Sequence, residues 1–558
     1  MKRRHLWRSA VVPAALAVVS LGSASVGAAQ SNLYPSGGRA GGYRPGIDVV
    51  NYDLSIDLPD SGATFEGRAV LTVRRTARVD TLVLDLIALR VDSVLVNGRA
   101  TPFGRDQATV RVPLPAGSGD ELTVAVRYGG RPANGLIIRT DSLGRWSAFG
   151  DNWPNNARHW IPSIDHPGDK ATVSFTVRAP STLRVIAIGD LLEETPLAAK
   201  RGERERTLTR WRETKPVPVY VMVIAAAPLA TYELGRTACG RAEFGCVAQS
   251  VYYFAEERAF LPGPFAQAPG IVDFFSTLVG PFPYEKLAHL QSSTSFGGME
   301  NSSAIFYADL LFKKHTLGPG LIAHETAHQW FGDAVTEREW SDVWLSEGFA
   351  TYFAALWTQR SLGDSAFRSE MARTRGEVVA SPVSVARAIV DTAETNYNKL
   401  LNTNSYQKGG WTLHMLRRLI GDSAFFGGIR TYYAKYHHAN AMTDDLRREL
   451  ERSSGGDLGW FFDQWLRRPG FAELTTSWRY AAAERRVILE IRQSSRFAPY
   501  RLPLVVEVVD AGGVARRVTV QVTATATQRV TLPLDLTAAP RSVTFDPDVD
   551  LLAVFAAR

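Results

Sequence analysis

Three textures follow one another along the chain. From about residue 46 to 232, apolar and polar positions alternate in short β-branched runs such as TFEGRAVLTVRR, TLVLDL and ATVSFTVRA. Alternation with period two puts one face of a strand in a core and the other in water, so these runs predict strands. Turn signals such as Val96-Asn97-Gly98 separate them, and the segment reads as an antiparallel β-domain. Between 233 and 470 the runs lengthen. A short β-rich opening gives way to patterns of helical period, among them LIAHETAHQWFGD and WLSEGFATYF, and Thr443-Asp444-Asp445 looks like the start of another helix. From 471 to 558 alternation returns in RVILEIRQ, LPLVVEVVD and RVTVQVTA, which predicts a small β-sandwich. The 558 residues exceed what one core can hold, and the whole reads as a multidomain α+β chain without internal repeats.

The first residues belong to none of these textures. Lys2, Arg3, Arg4 and Arg8 precede an apolar stretch from Ala10 to about Leu21 and then small residues, the pattern of an export signal over 1–29. Residues 30–45, rich in Gly, Ser and Pro, read as a flexible leader. Four of the cations behind the formal charge of +7 lie in the signal, leaving +3, too little to imply nucleic acid. Beyond the signal no stretch is long and apolar enough to span a membrane. An exported protein, periplasmic or secreted, is the expectation. Cys239 and Cys246, the two cysteines of the chain, flank a glycine-containing turn between β-like runs, and an oxidising compartment predicts a disulfide across that hairpin. Closing so short a loop contributes roughly 2.5 kcal/mol.

The chemistry is concentrated in the middle segment. His324 and His328 are four residues apart, on one face of a helix, and can converge on a single ion. Glu325 sits one position round the helix, beside an open coordination position. Glu347, in the next helical run, completes three protein ligands and leaves a fourth position for water, as catalytic zinc requires. Leu321, Ile322, Ala323, Trp330 and Phe331 flank the first motif, and Leu345, Phe349, Tyr352 and Phe353 surround Glu347. Two histidines and an acid in such apolar company are costly unless a metal satisfies them.

Together with ARHWIPSIDHPGDKA (157–171), GPFPYEKL (280–287), FGGMENSS (296–303), SYQKGG (405–410) and FFDQWLRRPGFAEL (461–474), these motifs resemble the aminopeptidase N-type family of zinc metallopeptidases, which includes the leukotriene hydrolase. The resemblance implies a thermolysin-like catalytic domain at 233–470, one Zn2+ per chain on His324, His328 and Glu347, and Glu325 as general base. It implies that Gly297, Gly298, Met299, Glu300 and Asn301 form the exopeptidase motif. There Glu300 grips the substrate's α-ammonium, and the preceding backbone aligns the peptide as an added strand. It implies that Tyr406 donates to the developing oxyanion. The partners are then peptides with a free N-terminus.

This sequence departs from the family pattern in two places. The usual second amine contact, a Gln or Glu, is replaced around Trp153, with Asp151 or Asn152 as possible substitutes. The acid seven residues after the third ligand is Ala354. The chain also ends without the large helical domain of many relatives, which leads one to expect a more open groove. Two other functions stay in view. A thermolysin-like endopeptidase shares the zinc motif but has no need of GGMEN, and an inactive peptide-binding member would have lost a ligand, Glu325 or Tyr406. His437-His438 reads as a surface pair.

Overall fold

The computed structural model describes residues 44–557 except 117–119, 200–201 and 203. The expected signal at 1–29 and the leader up to residue 43 lie outside the described residues. The leader's penultimate residue is pinned: the Arg44 guanidinium donates to Val83 O at 2.9 Å and pairs with Asp85 at 2.6 Å.

The alternating runs of the first segment form strands, in an eight-stranded, a four-stranded and a three-stranded sheet. Asn97 and Gly98 have φ of 50° and 77°, the left-handed pair that a tight hairpin between Arg90–Val96 and Arg99–Ala100 requires. One expectation needs correction. Ile47–Asp57 pairs antiparallel with Phe65–Arg75 on one side, but parallel with Lys170–Pro180 on the other, so the sheet is mixed. Alternation decides which face is buried; it does not decide which strand lies alongside or in what direction. The crossover, residues 58–169, carries the chain through the strand Trp146–Asp151, β1 below, whose last residue reaches the cleft between the first two segments.

The middle segment opens with a five-stranded sheet in the order Ala230–Thr237, Val247–Tyr253, Lys286–Ser292, Ala304–Ala308, Gly298–Met299. The first two form a hairpin, and Cys239 and Cys246 are disulfide-bonded across its loop. Helices then dominate. Helix α1, Pro319–His328, starts with proline at its first position, where the missing N–H costs nothing. Helix α2 is Trp344–Leu362, and helix α3, Gly409–Ile420, follows directly on a π-helical turn at Asn404–Lys408. Aromatic side chains bind these helices together: Phe331 stacks on Phe349 at 4.1 Å, and Trp330 meets Phe275 and Phe282 edge-on. Each such ring buried contributes about 1.5–3 kcal/mol. The last segment is a four-stranded and a three-stranded sheet, as its alternation predicts.

Polar ties cross both seams between segments. The Lys170 ammonium, on the N-terminal side, donates to the carbonyls of Asp333 and Ala334 just beyond α1, at 2.9 and 2.8 Å. On the other side, Arg375 pairs with Asp546 at 3.0 Å, and Gln464 exchanges two hydrogen bonds with the backbone of Arg501. No helix among the described residues is long and apolar enough to cross a membrane.

Candidate active site

Helix periodicity brings His324 and His328 together, and α2 delivers Glu347 to the same point. Their facing atoms form a nearly equilateral triangle: His324 Nε2 to His328 Nε2 is 3.1 Å, and Glu347 Oε2 lies 3.3 Å from each. A tetrahedral zinc with bonds of about 2.0–2.1 Å spaces its ligand atoms about 3.3 Å apart, so the triangle fits that ion. The tautomer fits as well. His328 Nδ1 faces Phe331 O at 3.1 Å and Ser346 Oγ at 2.9 Å. With its proton there, Nε2 turns its lone pair toward the triangle. All three groups are buried or nearly so. The histidines beside Glu347 outweigh its burial and hold its carboxyl at about 2.

Glu325 lies on the adjacent face of α1, 4% exposed, and burial raises its pKa well above that of an ordinary carboxyl. Its carboxylate occupies the space a side chain at position 298 would fill. A Cβ on Gly298 would stand 2.1 Å from Glu325 Oε1, which is why that position is bare. Glu300 completes a second triad: one carboxylate oxygen each from Glu300 and Glu325 and a ring nitrogen of His328 lie within 4.8 Å of one another. Burial, offset by His328 but reinforced by Glu347, pushes Glu300 up to about 7.

The rest of GGMEN is backbone in character. Gly298 and Met299 form the edge strand of the five-stranded sheet, paired with Tyr307 and Phe306, so their outer edge is open to an added strand. The Gly297 carbonyl accepts from Ala308 N at 3.1 Å. Asn301 is fully buried behind Glu300, and its side-chain amide has no partner among the described residues. Tyr406 arrives on the π-helical turn, a local widening common at functional sites. Its hydroxyl donates to Glu347 Oε1 at 2.8 Å and its ring stacks on His324. Just past the turn, the start of α3 packs against α2 through Gly409 and Gly348, where a Cβ on either would stand 3.0 Å from the other's Cα.

Three residues that carry this arrangement have no motif of their own. Ser346, beside Glu347, supports His328 where Ala354, 6% exposed, offers no polar group. Gln329, one residue past the motif, donates to Glu300 O at 2.9 Å and to Asp333 Oδ2 at 2.9 Å. Asp151 accepts from Ser295 and Thr294 in the loop leading into Gly298. Trp153 is buried against Phe296 and Trp340 and presents no amine acceptor.

A further donor group, Glu243 with His437 and His438, also falls within 4.8 Å. Its charge is already matched: the Lys215 ammonium lies 2.6 Å and His438 Nε2 3.2 Å from the Glu243 carboxylate. The expected surface pair is therefore corrected. His438, whose backbone is left-handed at φ 59°, is half-buried and paired with Glu243.

A model described as the peptidase family M1 domain matches residues 267–465, and one described as the peptidase M1 N-terminal domain matches residues 49–221. The chain belongs to peptidase family M1. Among relatives of this M1 chain, the leucyl aminopeptidase of Saccharolobus solfataricus is 24% identical over 500 residues, covering 83% of this chain and 59% of that protein. Aminopeptidase N of Lactococcus lactis is 26% identical over 459 residues, covering 75% and 51%. The M1 chain thus spans between half and three fifths of the length of these relatives. A crystal structure of an M1 zinc metallopeptidase from Deinococcus radiodurans superposes with a TM-score of 0.65 at 26% identity, covering 77% of this chain and 95% of that one. Aminopeptidase A of Legionella pneumophila, solved in complex with aspartic acid, reaches a TM-score of 0.78 over 92% of this chain and 60% of that one. At 16% identity it shows the shared fold alone.

Proposed function

We propose that this M1 protein is a zinc-dependent aminopeptidase that holds one zinc on His324, His328 and Glu347 and releases the N-terminal residue of peptides. The observation that carries the reading is the short reach between the two triads. Glu300, the group for the α-ammonium, has a carboxylate oxygen within 4.8 Å of Glu325 and of a zinc-ligand nitrogen. An α-nitrogen and its own carbonyl carbon are two bonds apart, so only the first peptide bond fits that reach. An endopeptidase needs no carboxylate closing this end of the cleft.

Bound in the triangle, zinc supplies a Lewis acid that polarises the scissile carbonyl and lowers the pKa of a water toward about 7. Glu325, its proton affinity raised by burial, accepts the proton of the attacking water and returns it to the leaving amine. Tyr406 releases its hydrogen bond to Glu347 and donates to the oxygen that gains charge. Glu300 and the edge of Gly298–Met299 hold the substrate's amine and backbone. The disulfide and the basic-then-apolar pattern at 1–29 support an exported protein, periplasmic or secreted.

The test is hydrolysis of alanyl-, leucyl- and arginyl-anilides beside their N-acetylated counterparts, with zinc content measured per chain. Cleavage of free substrates alone, abolished by chelation and restored by about one equivalent of zinc, is the expected result. Cleavage of blocked peptides at internal bonds would replace this reading with an endopeptidase.

A further inference from the structure

The segment that carries Glu300 is fastened at both ends, by residues from different parts of the molecule. At its far end, α1 holds it: Gln329 Nε2 donates to Glu300 O at 2.9 Å, and Gln329 Oε1 accepts from Ser303 N at 2.7 Å. At its near end, the N-terminal domain holds it. Asp151, last residue of β1, accepts at Oδ2 from Ser295 N and Ser295 Oγ, both at 3.1 Å, and at Oδ1 from Thr294 Oγ1 at 3.3 Å. Its neighbour Asn152 is spent within its own domain, donating to Val219 O and Met222 O and accepting from Trp160 Nε1. Two residues on, the Trp153 ring meets Phe296 edge-on at 5.9 Å, so the same loop is gripped by a polar and an apolar contact.

The Asp151 carboxylate is 5% exposed and forms no ion pair with a described Lys, Arg or His within 4 Å. Burial raises the pKa of this carboxyl, and two hydroxyls and one backbone N–H are the groups that offset that cost. An amide keeps this grip only in part: its oxygen can still accept from Ser295 N and Oγ, but its NH2 must then donate to Thr294 Oγ1, reversing that bond and turning the hydroxyl's own hydrogen away.

We infer that Asp151 is a positioning residue that fixes the loop before Gly298-Met299-Glu300 against the N-terminal domain and so sets where Glu300 meets the substrate amine. It rests on the aminopeptidase reading and occupies the stretch where the usual second amine contact is missing. Glu300 placement then depends on the N-terminal domain, a contact that neither zinc nor α1 supplies.

The test compares inhibition by leucine hydroxamate and by its des-amino analogue, so that the amine is the one variable. In the zinc-loaded wild type the amine should improve Ki by about 30-fold, the effect of a charged hydrogen bond. In Asp151→Asn that ratio should shrink about fivefold, with the des-amino Ki and zinc content unchanged. A merely structural role would weaken both inhibitors together or leave the ratio alone, and either result overturns the inference. A wild type indifferent to the amine would overturn the Glu300 assignment instead, and this inference with it. Should Asp151→Asn fail to fold, Thr294→Val with Ser295→Ala removes two of the three hydrogen bonds from the loop side, and a ratio reduced about twofold is expected. An unchanged ratio in that double variant likewise overturns the inference.

Discussion

The zinc-facing wall of the cleft and its amine-facing wall are assembled differently. His324, Glu325, His328 and Glu347 stand on α1 and α2, within residues 319–362 of a single segment. The amine wall joins Glu300 on a sheet edge, Gln329 past the end of α1 and Asp151 from the N-terminal domain. Electrostatics separates them too. Despite burial, adjacent imidazoles hold Glu347 at about 2, whereas burial pushes Glu300 up to about 7. Two carboxylates in one cleft are thus driven in opposite directions, Glu347 toward its charged form and Glu300 toward protonation near neutral pH. The first wall needs helix periodicity and the packing of two neighbouring helices in one segment; the second also needs a contact between two domains.

The contrast can be broken most severely from the zinc side. Glu325→Gln should retain zinc while kcat falls about 10²–10⁴-fold, read by steady-state kinetics with metal analysis. Tyr406→Phe removes the hydroxyl that now rests on Glu347, and kcat should drop about 10²–10³-fold with KM little changed. On the amine wall, Glu300→Gln should cost about 10- to 100-fold in kcat/KM. Its pH profile sharpens the comparison. In the wild type, Glu300 takes up a proton as pH falls through about 7 and loses the charge that grips the ammonium, so kcat/KM should decline on the acid side. The Gln variant should lack that limb. An unchanged limb would place the titrating group on the zinc wall. The smallest effect is expected for Ser346→Ala. Phe331 O still accepts from His328 Nδ1, so zinc affinity should weaken about tenfold, measured by competition with a chelator.

Most of the architecture is legible in the sequence. Period-two runs became strands, helical runs became α1 and α2, and the cysteines closed the predicted hairpin. What escaped depended on contacts distant in sequence. The parallel pairing of Ile47–Asp57 with Lys170–Pro180, the inward turn of His438 and the π-helical turn under Tyr406 leave no periodic trace.

The site divides in the same way. By itself the sequence singled out His324, His328 and Glu325, because a helix converts spacings of four and one into a shared face and its neighbour, and it pointed to Glu347 and the GGMEN segment through motif and resemblance. Tertiary structure alone decided that Ser346 supports His328, that Gln329 ties Glu300 to α1, that Gly298 leaves room for the Glu325 carboxylate, and that Asp151 reaches the loop at Ser295. The physical reason is range. A hydrogen bond between residues 144 apart is fixed by how two domains pack, and no local pattern of hydrophobic and polar residues encodes that packing.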